Sequence, residues 1–509
     1  MRKIFLCFWL FLALGFTNKV VGQFAGGSGT ALDPYQISTP EHLAQLHYHL
    51  NNGNVHFKLL NNIDLTNYLT AGGAGHNGGA GWLPIGNASN KFSGTLNGAG
   101  FKIIGLWINR NETKYIGLFG WTSLASISNL GIEISSFGIS GEDCVGGLAG
   151  VNIQTHITNC YTIGNVSGGS AVGGLVGNNQ GTISNCYAIG NVRGGFEAGG
   201  LIGANYASIT NSYATGSVGG ETVLGGLVGS CRVGASISNC YAIGNVSGTW
   251  WDNTGAGGLV GYNEGYIGNS FATGSVSGVG PDVGGLVGSN INASIANSYA
   301  TGNVSGSSNV GGLVGKNENT SITNAIANCY ATGNVKGSTA VGGFIGFHNS
   351  GTVNNSFFDY QTTGQMYGVG GGSGSVNNLA GKPTVEMKKK STFTSVGWDF
   401  TTVWGINEGV TYPFLINGSV GINEPVQNVN IQLYPNPTNG QIHIESKEWK
   451  VKNVEIFDVF GKNIRINTQI RPENSETETV INISHLPAGV YFVRISTETG
   501  VVIKKVQKE

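Results

Sequence analysis

Short apolar runs bracketed by glycine recur through the middle of the chain. The run is Gly-Gly-Leu-(Val/Ile/Ala)-Gly, beginning at Gly146, Gly173, Gly199, Gly225, Gly257, Gly284, Gly311 and Gly342, where the last copy has Phe344 in place of Leu. Ile116-Gly117-Leu118-Phe119-Gly120 is a degenerate ninth copy. The eight full copies start 26 to 32 residues apart. A period in that range marks stacked units, each too small to bury its own apolar face.

One copy shows the expected unit. Residues 172–177 read as one short strand, 182–188 as a second bent at Asn185, and 190–192 as a third. Runs this short cannot be helices, and β-branched residues alternate with small polar ones. Three short strands per repeat predict one rung of a right-handed parallel β-helix. Ten to twelve rungs stacked at the strand spacing make a rod of ~50–60 Å.

Asn fills the same bend in each rung: Asn159, Asn185, Asn211, Asn239, Asn269, Asn297, Asn328 and Asn355. It suits a stacked amide ladder and tolerates left-handed backbone. The next position holds Cys160, Cys186, Cys240 and Cys329, or Ser212, Ser270, Ser298 and Ser356. A slot that accepts Cys or Ser is a small core slot. Buried free thiols are the main expectation and a Cys160–Cys186 disulfide the alternative; no CxxC exists to hold metal. An aromatic follows in every rung, from Tyr161 to Phe357. Stacked, these rings stabilise a solenoid; facing out, they could also lie against sugar rings. Two positions further on, Ile163, Ile189 and Ile243 interrupt the Thr residues that a flat ice-binding array would need.

The ends depart from the pattern. Thr39-Pro40-Glu41 predicts a capping helix, with Leu43, Leu46 and Leu50 on one face. Its His42, His47 and His49 lack the i, i+4 spacing of a helical metal pair. Residues 364–413 carry Trp398 and Trp404 and predict the opposite cap. Arg2 and Lys3 followed by an apolar stretch from Ile4 to Phe16 read as a secretory signal, cut before Gln23. That stretch is too short for a membrane helix.

Charge then divides the chain. Residues 144–346 hold 10 charged residues, whereas 429–509 hold 19. The expected segments are a signal at 1–22, the N-terminal cap and first rungs at 23–115, and the repeat β-helix at 116–360. A C-terminal cap at 361–420, a linker at 421–428 and a small β-sandwich at 429–509 follow. Seven strands are expected in the sandwich, near 429–434, 441–446, 451–458, 463–468, 478–484, 489–496 and 500–506. A net charge of -1 offers no basic stripe for nucleic acid.

β-Helix enzymes acting on polysaccharides need clustered acids and bases. Glu142, Asp143, Glu197, Glu221, Asp252 and Asp282 all precede the glycine pair of their rung and read as a solvated acidic edge with few basic partners. No catalytic constellation, metal site or cofactor is expected. Trp250 and Trp251, beside Asp252 and Asn253, lie in the longest spacing between motifs. Insertions in a solenoid go to surface loops. The four residues are the candidate ligand contact; folding over the rod is the structural alternative.

Two resemblances follow. The repeats resemble the GLUG family of bacterial surface proteins. Residues 27–30 with 33–37, and 391–393, 397–400 and 412–414, are similar to the segments that lead into and out of such repeats. Some relatives, including immunoglobulin A peptidases, add a catalytic domain, but its HExxH motif is absent here. The tail resembles the C-terminal sorting domain of the type IX secretion system. The match rests on Leu433-Tyr434-Pro435-Asn436-Pro437, Asn439-Gly440, residues 454–461 ending in Gly461, residues 486–491 with Gly489 and Tyr491, and Lys504-Lys505-Val506. That resemblance implies a Gram-negative bacterium of the Bacteroidetes type and passage through the outer membrane. It also implies partners, the secretion machinery and its sortase-like peptidase, with the tail removed on release or attachment to surface lipopolysaccharide. The combined reading is an exported non-catalytic protein for adhesion to an extracellular glycan or host surface protein. The alternative is a polysaccharide lyase or glycoside hydrolase.

Overall fold

The computed structural model describes residues 24–250, 255–318 and 325–416, and in the tail 431–446, 451–458, 463–464, 468–469, 477–487, 489–497 and 501–508. The expected signal segment and the linker lie outside the described residues. The body is a parallel β-solenoid of about ten turns, and only 7% of the chain is helical. Its short strands form two long parallel sheets of 21 and 24 strands. One rung gives Val176–Ser184 to the first sheet and Tyr187–Ile189 and Val192–Gly199 to the second. Each strand pairs in register with the next rung, as in Val176↔Ile202, Tyr187↔Tyr213 and Val192↔Val218.

The repeated glycine motif is a corner rather than the single strand expected at 172–177. Strand Val166–Gly173 ends at its first glycine, Gly174 and Leu175 turn inward, and Val176 opens the next strand. Steric closeness explains the glycines. A Cβ on Gly173 would stand 2.1 Å from the Val176 carbonyl oxygen, and one on Gly174 2.3 Å from that of Gly200. Leu175, Leu201, Leu227 and their equivalents fill the core with no exposure.

The bend asparagines behave as expected. Asn159, Asn185 and Asn211 have φ of 53, 54 and 50°. Their amides link rung to rung, with Asn159 donating to Asn129 (3.0 Å), and Asn239 to Asn211 and Asn211 to Asn185 (both 3.2 Å). The Cys/Ser slot is buried throughout. Ser212 shows why a small polar atom fits: its hydroxyl accepts from the Cys186 amide (3.1 Å) and donates to the Thr210 carbonyl (2.7 Å). All six described cysteines are free, and burial pushes the Cys240 and Cys329 thiols up to about 12.

A second, fully buried ladder runs along the inside of the first sheet. Asn152 donates to Asn179 (2.6 Å) and Asn179 to Asn205 (2.7 Å). Asn263 donates to Asn290 (2.8 Å), Asn290 to Asn317 (2.7 Å) and Asn317 to Nδ1 of His348 (3.0 Å). The other ring nitrogen of His348 then donates to the Ser375 carbonyl (3.1 Å). Burial holds this histidine below its ordinary pKa. Cys231 pairs in register with both Asn205 and Asn263 and interrupts the amide chain with a weak hydrogen-bonding thiol. Cys231→Asn should join the two halves. Gly265 leaves the same room over Cys231 that Gly181 leaves over Asn152. One added buried hydrogen bond gives ~1 kcal/mol, read as a melting temperature raised by about 2–4 °C. An unchanged or lower melting temperature would show that the gap is not a missing link.

Both ends are closed. Thr39 caps helix Pro40–Ala44 by accepting from the His42 amide (3.3 Å), and Leu43 and Leu46 are buried. His42 and His47 bond to Ser38 and to the Leu83 carbonyl, and His49 packs among Phe24, Tyr35 and Phe57. The outer aromatic ladder stacks from Tyr161 to Tyr330, with centroids 4.8–5.0 Å apart and planes within 7°. Its alternating neighbours, such as Ala188 and Ala214, point inward and are buried. The C-terminal cap lies on the far end of this ladder. Trp404 sits 6.2 Å from Tyr299, Trp398 5.9 Å from Phe357, and the Tyr330 hydroxyl donates to the Pro413 carbonyl (2.6 Å). That end of the ladder is therefore occupied by the protein itself.

The tail has its own core of Ile442, Ile444, Ile456, Ile481, Val493 and neighbours, between two antiparallel four-stranded sheets. Eight strands appear because the one expected at 463–468 is two, Asn463–Ile464 and Thr468–Gln469. No helix among the described residues is long and apolar enough to cross a membrane.

Candidate functional site

A recess lies on the second sheet. Ser167 and Arg193 pair in register, as do Gly168, Gly194 and Gly220 in three successive rungs. Glycine here is forced from within. A Cβ on Gly168 would stand 2.8 Å from a Val145 methyl, and one on Gly220 2.0 Å from the Gly194 carbonyl oxygen. The floor thus lacks side chains, and a groove of about 420 Å³ opens over it. Asn111, Ser167, Arg193, Glu221 and Thr249 form its walls. The lining comes from six consecutive rungs, so the groove follows the rod axis.

Two half-exposed aromatics are chain neighbours of lining residues. Phe196 (45% exposed) follows the lining residue Gly195, and Trp250 (47%) follows Thr249. Thr249 is fixed by its amide and hydroxyl, both donating to the Gly220 carbonyl (2.9 Å). Of the four expected ligand contacts, Trp250 is half-exposed and directly follows the lining residue Thr249. Trp251, Asp252 and Asn253 lie outside the described residues. Phe196 was not anticipated; its signal is a large aromatic in a register position held by Ser170 and Thr222 in the adjacent rungs.

The expected solvated acidic edge does not form as such. Lys114 pairs with Asp143 (2.6 Å) and Glu142 (3.8 Å). Glu197 is buried against Ser230 and Arg232. Asp282 accepts from Ser289 (2.8 Å) and Asn309 (2.7 Å). The cause is local: Glu197 and Asp282 have left-handed backbone (φ 54 and 59°), and their side chains reach polar partners in the next rung. Glu221 remains exposed at the groove and Asp252 is outside the described residues. No group of three or more metal-type side chains occurs among the described residues.

In the tail, Pro435, Asn436 and Pro437 are exposed, and Asn436 accepts from the Gln507 amide (2.8 Å). The first sequence motif therefore meets the last strand, Val501–Lys508. Gly440 has φ 150°, and a Cβ there would strike Ser484 at 2.6 Å. Gly489 opens the strand Gly489–Thr497, in which Tyr491 is buried with its hydroxyl donating to the Pro487 carbonyl (2.8 Å). Lys504 is exposed, and Lys505 pairs in register with Phe492. Gly461 is outside the described residues.

Comparison with known proteins places names on both parts. The family described as the secretion system C-terminal sorting domain matches residues 432–509. The GLUG motif matches 168–193, 194–219, 280–305 and 306–336. A protein of Evansella cellulosilytica, provisionally described as a Gly-rich membrane protein, is 39% identical over 208 residues, 35% of this chain and 23% of that relative. Halomucin of Haloquadratum walsbyi is 36% identical over 156 residues, 30% of this chain and 2% of that relative. The chain thus spans under a quarter of the length of either. A crystal structure from Bacteroides ovatus, provisionally described as an immunoglobulin A1 protease, is 18% identical with a TM-score of 0.35, covering 78% of this chain and 96% of that one. Four GLUG motifs within a β-solenoid, and a type IX secretion sorting domain behind it, make this a protein exported to the outer cell surface or beyond.

Proposed function

We propose that the exported rod is a non-catalytic glycan-binding protein, and that its glycan lies in the glycine-floored groove between Phe196 and Trp250. The observation that carries this is the side-chain-free floor with its polar rim, next to which two half-exposed aromatics follow lining residues in the chain. Sugars present flat C–H faces that aromatic rings cover and hydroxyls that Asn111, Arg193, Glu221 and Thr249 can bond. A groove along the rod axis admits an extended chain rather than a compact ligand.

The rival, a polysaccharide-degrading enzyme, is favoured by one observation: Glu197 and Glu264 do come together around Arg232. Both carboxylates are engaged by the same guanidinium, which leaves neither free for proton transfer at a glycosidic oxygen. Incubation with a polysaccharide panel should therefore yield neither new reducing ends nor unsaturated products.

The test of the groove is a glycan array followed by Phe196→Ala and Trp250→Ala. Loss of one aromatic platform is expected to weaken binding about tenfold, equivalent to ~1.4 kcal/mol, with the melting temperature unchanged. Lower stability with unaltered binding would instead assign Trp250 to covering the rod.

A further inference from the structure

Six of the ten charged residues between 144 and 346 gather where the two sheets meet: Glu197 and Asp282 at the ends of second-sheet strands, Arg232 and Glu264 just after first-sheet strands, and Lys316 and Glu318 within one. Arg232 joins Glu197 and Glu264 (3.5 Å), and its guanidinium lies 5.6 Å from the ring centre of Tyr262. The Tyr262 hydroxyl donates to Glu264 (3.4 Å). Lys316 binds Glu318 (2.7 Å) and lies within reach of the charge of Asp282. Tyr206 and Tyr266, from the rungs on either side of Arg232, are each 44% exposed.

The repeat supplies an internal control. The left-handed position of Glu197 is filled by Cys144, Ala171, Val223 and Ala340 in other rungs. The position of Arg232, next to the inner ladder, is Ile153, Gln180, Tyr206 or Ile291 in other rungs, and Glu264 or Glu318 in two of them. The fold thus requires no charge at either place. Burying Glu197 in a left-handed residue carries both a desolvation cost and a backbone cost. Ser230 and Arg232 satisfy the carboxylate, but the other rungs stack without this arrangement, which points to a use outside the fold.

We infer that this face is a second carbohydrate site, built for an uncharged polysaccharide. Arg232 directs both terminal nitrogens at carboxylates, and its buried Nε has no partner. Lys316 is likewise paired. Ion pairs of this kind offer donors and acceptors side by side, the pattern that neighbouring sugar hydroxyls match. Four carboxylates against two bases disfavour an anionic chain. Tyr206 and Tyr266 supply flat faces on which pyranose rings stack. The site shares no residue with the groove, although Glu197 follows Phe196 in one strand.

The experiment uses the full chain and neutral glucan, mannan, xylan and galactan polymers beside polygalacturonate, in wild type and in a Phe196→Ala/Trp250→Ala background. In that background at least one neutral polymer should still bind and polygalacturonate should not. Adding Tyr206→Ala and Tyr266→Ala, both exposed and outside the ion pairs, should weaken the remaining binding at least tenfold with no change in melting temperature. Arg232→Gln should do the same where it folds. Residual binding unaffected by the tyrosine changes, absence of any neutral-polymer binding in the background variant, or preference for polygalacturonate would each overturn the assignment. Failure of the groove reading alone would show as Phe196→Ala/Trp250→Ala binding like wild type, with the tyrosine effect intact.

Discussion

Gly257→Ala should destroy the middle of the rod, while Gly219→Ala, in the same sheet, should leave it intact. A Cβ on Gly257 would stand 2.0 Å from the Val260 carbonyl oxygen and 2.7 Å from the Gly288 amide nitrogen. Both are backbone atoms of the corner and of the next rung, so no side chain can swing away. Ordinary overpacking costs about 1–3 kcal/mol, and a backbone collision belongs at or beyond the top of that range. Each rung of a solenoid contacts only its neighbours, so the break should also divide one melting transition into two. Gly219 meets only the Ser247 carbonyl at 3.9 Å and has no left-handed backbone. Alanine there loses less chain entropy on folding and should hold or raise the melting temperature. Thermal melts and limited proteolysis of the two variants decide the matter. Equal stabilities would mean that the glycine corner is not set by backbone contact.

That contrast also shows where the sequence was legible. The period, the left-handed asparagine bend and the small Cys/Ser slot are properties of one rung, and each could be read from one copy. The glycine corner could not. Val172 to Gly177 has the composition of a strand, and the demand for glycine comes from the rung above, through contacts such as Gly174 against Gly200. The inner ladder was hidden differently. Its asparagines stand two residues after the last glycine of each motif, at Asn152, Asn179, Asn205, Asn263, Asn290 and Asn317. Cys231 and His348 break the series, and Asn178 blurs it. That regular offset is a signal a reading of the chain could have found.

The sites divide along the same line. Trp250 stood out because its rung is longer than the others. Phe196 and the Arg232 cluster did not, because their partners come from different rungs. Glu197 and Arg232 are 35 residues apart and occupy different offsets from the motif, so scanning one offset for acids misses the base that faces them. Stacking, rather than spacing, brings them together.

Deleting residues 429–509 should leave a folded rod that never leaves the cell envelope. The buried core of the rod runs from Ile37 to Phe358 and that of its C-terminal cap ends at Leu415. The core of the tail begins at Ile442 and shares no residue with either. Folding of the solenoid thus draws no burial from the tail, and the truncated chain should keep its melting temperature within about 0.5 kcal/mol of stability, the usual effect of changes remote from a core. Export is another matter, because residues 432–509 are the sorting domain. The truncated chain should accumulate in the periplasm as a protease-resistant rod. Within the tail, Asn436 on the Gln507 amide joins the first motif to the last strand, so Asn436→Ala should weaken the domain and reduce export in part. Fractionation of cells carrying each variant, with mass spectrometry of the surface form, reads both effects. The intact protein recovered outside should lack its tail. Normal export of the truncated chain, or a surface form still ending at Glu509, would remove the sorting role from this domain.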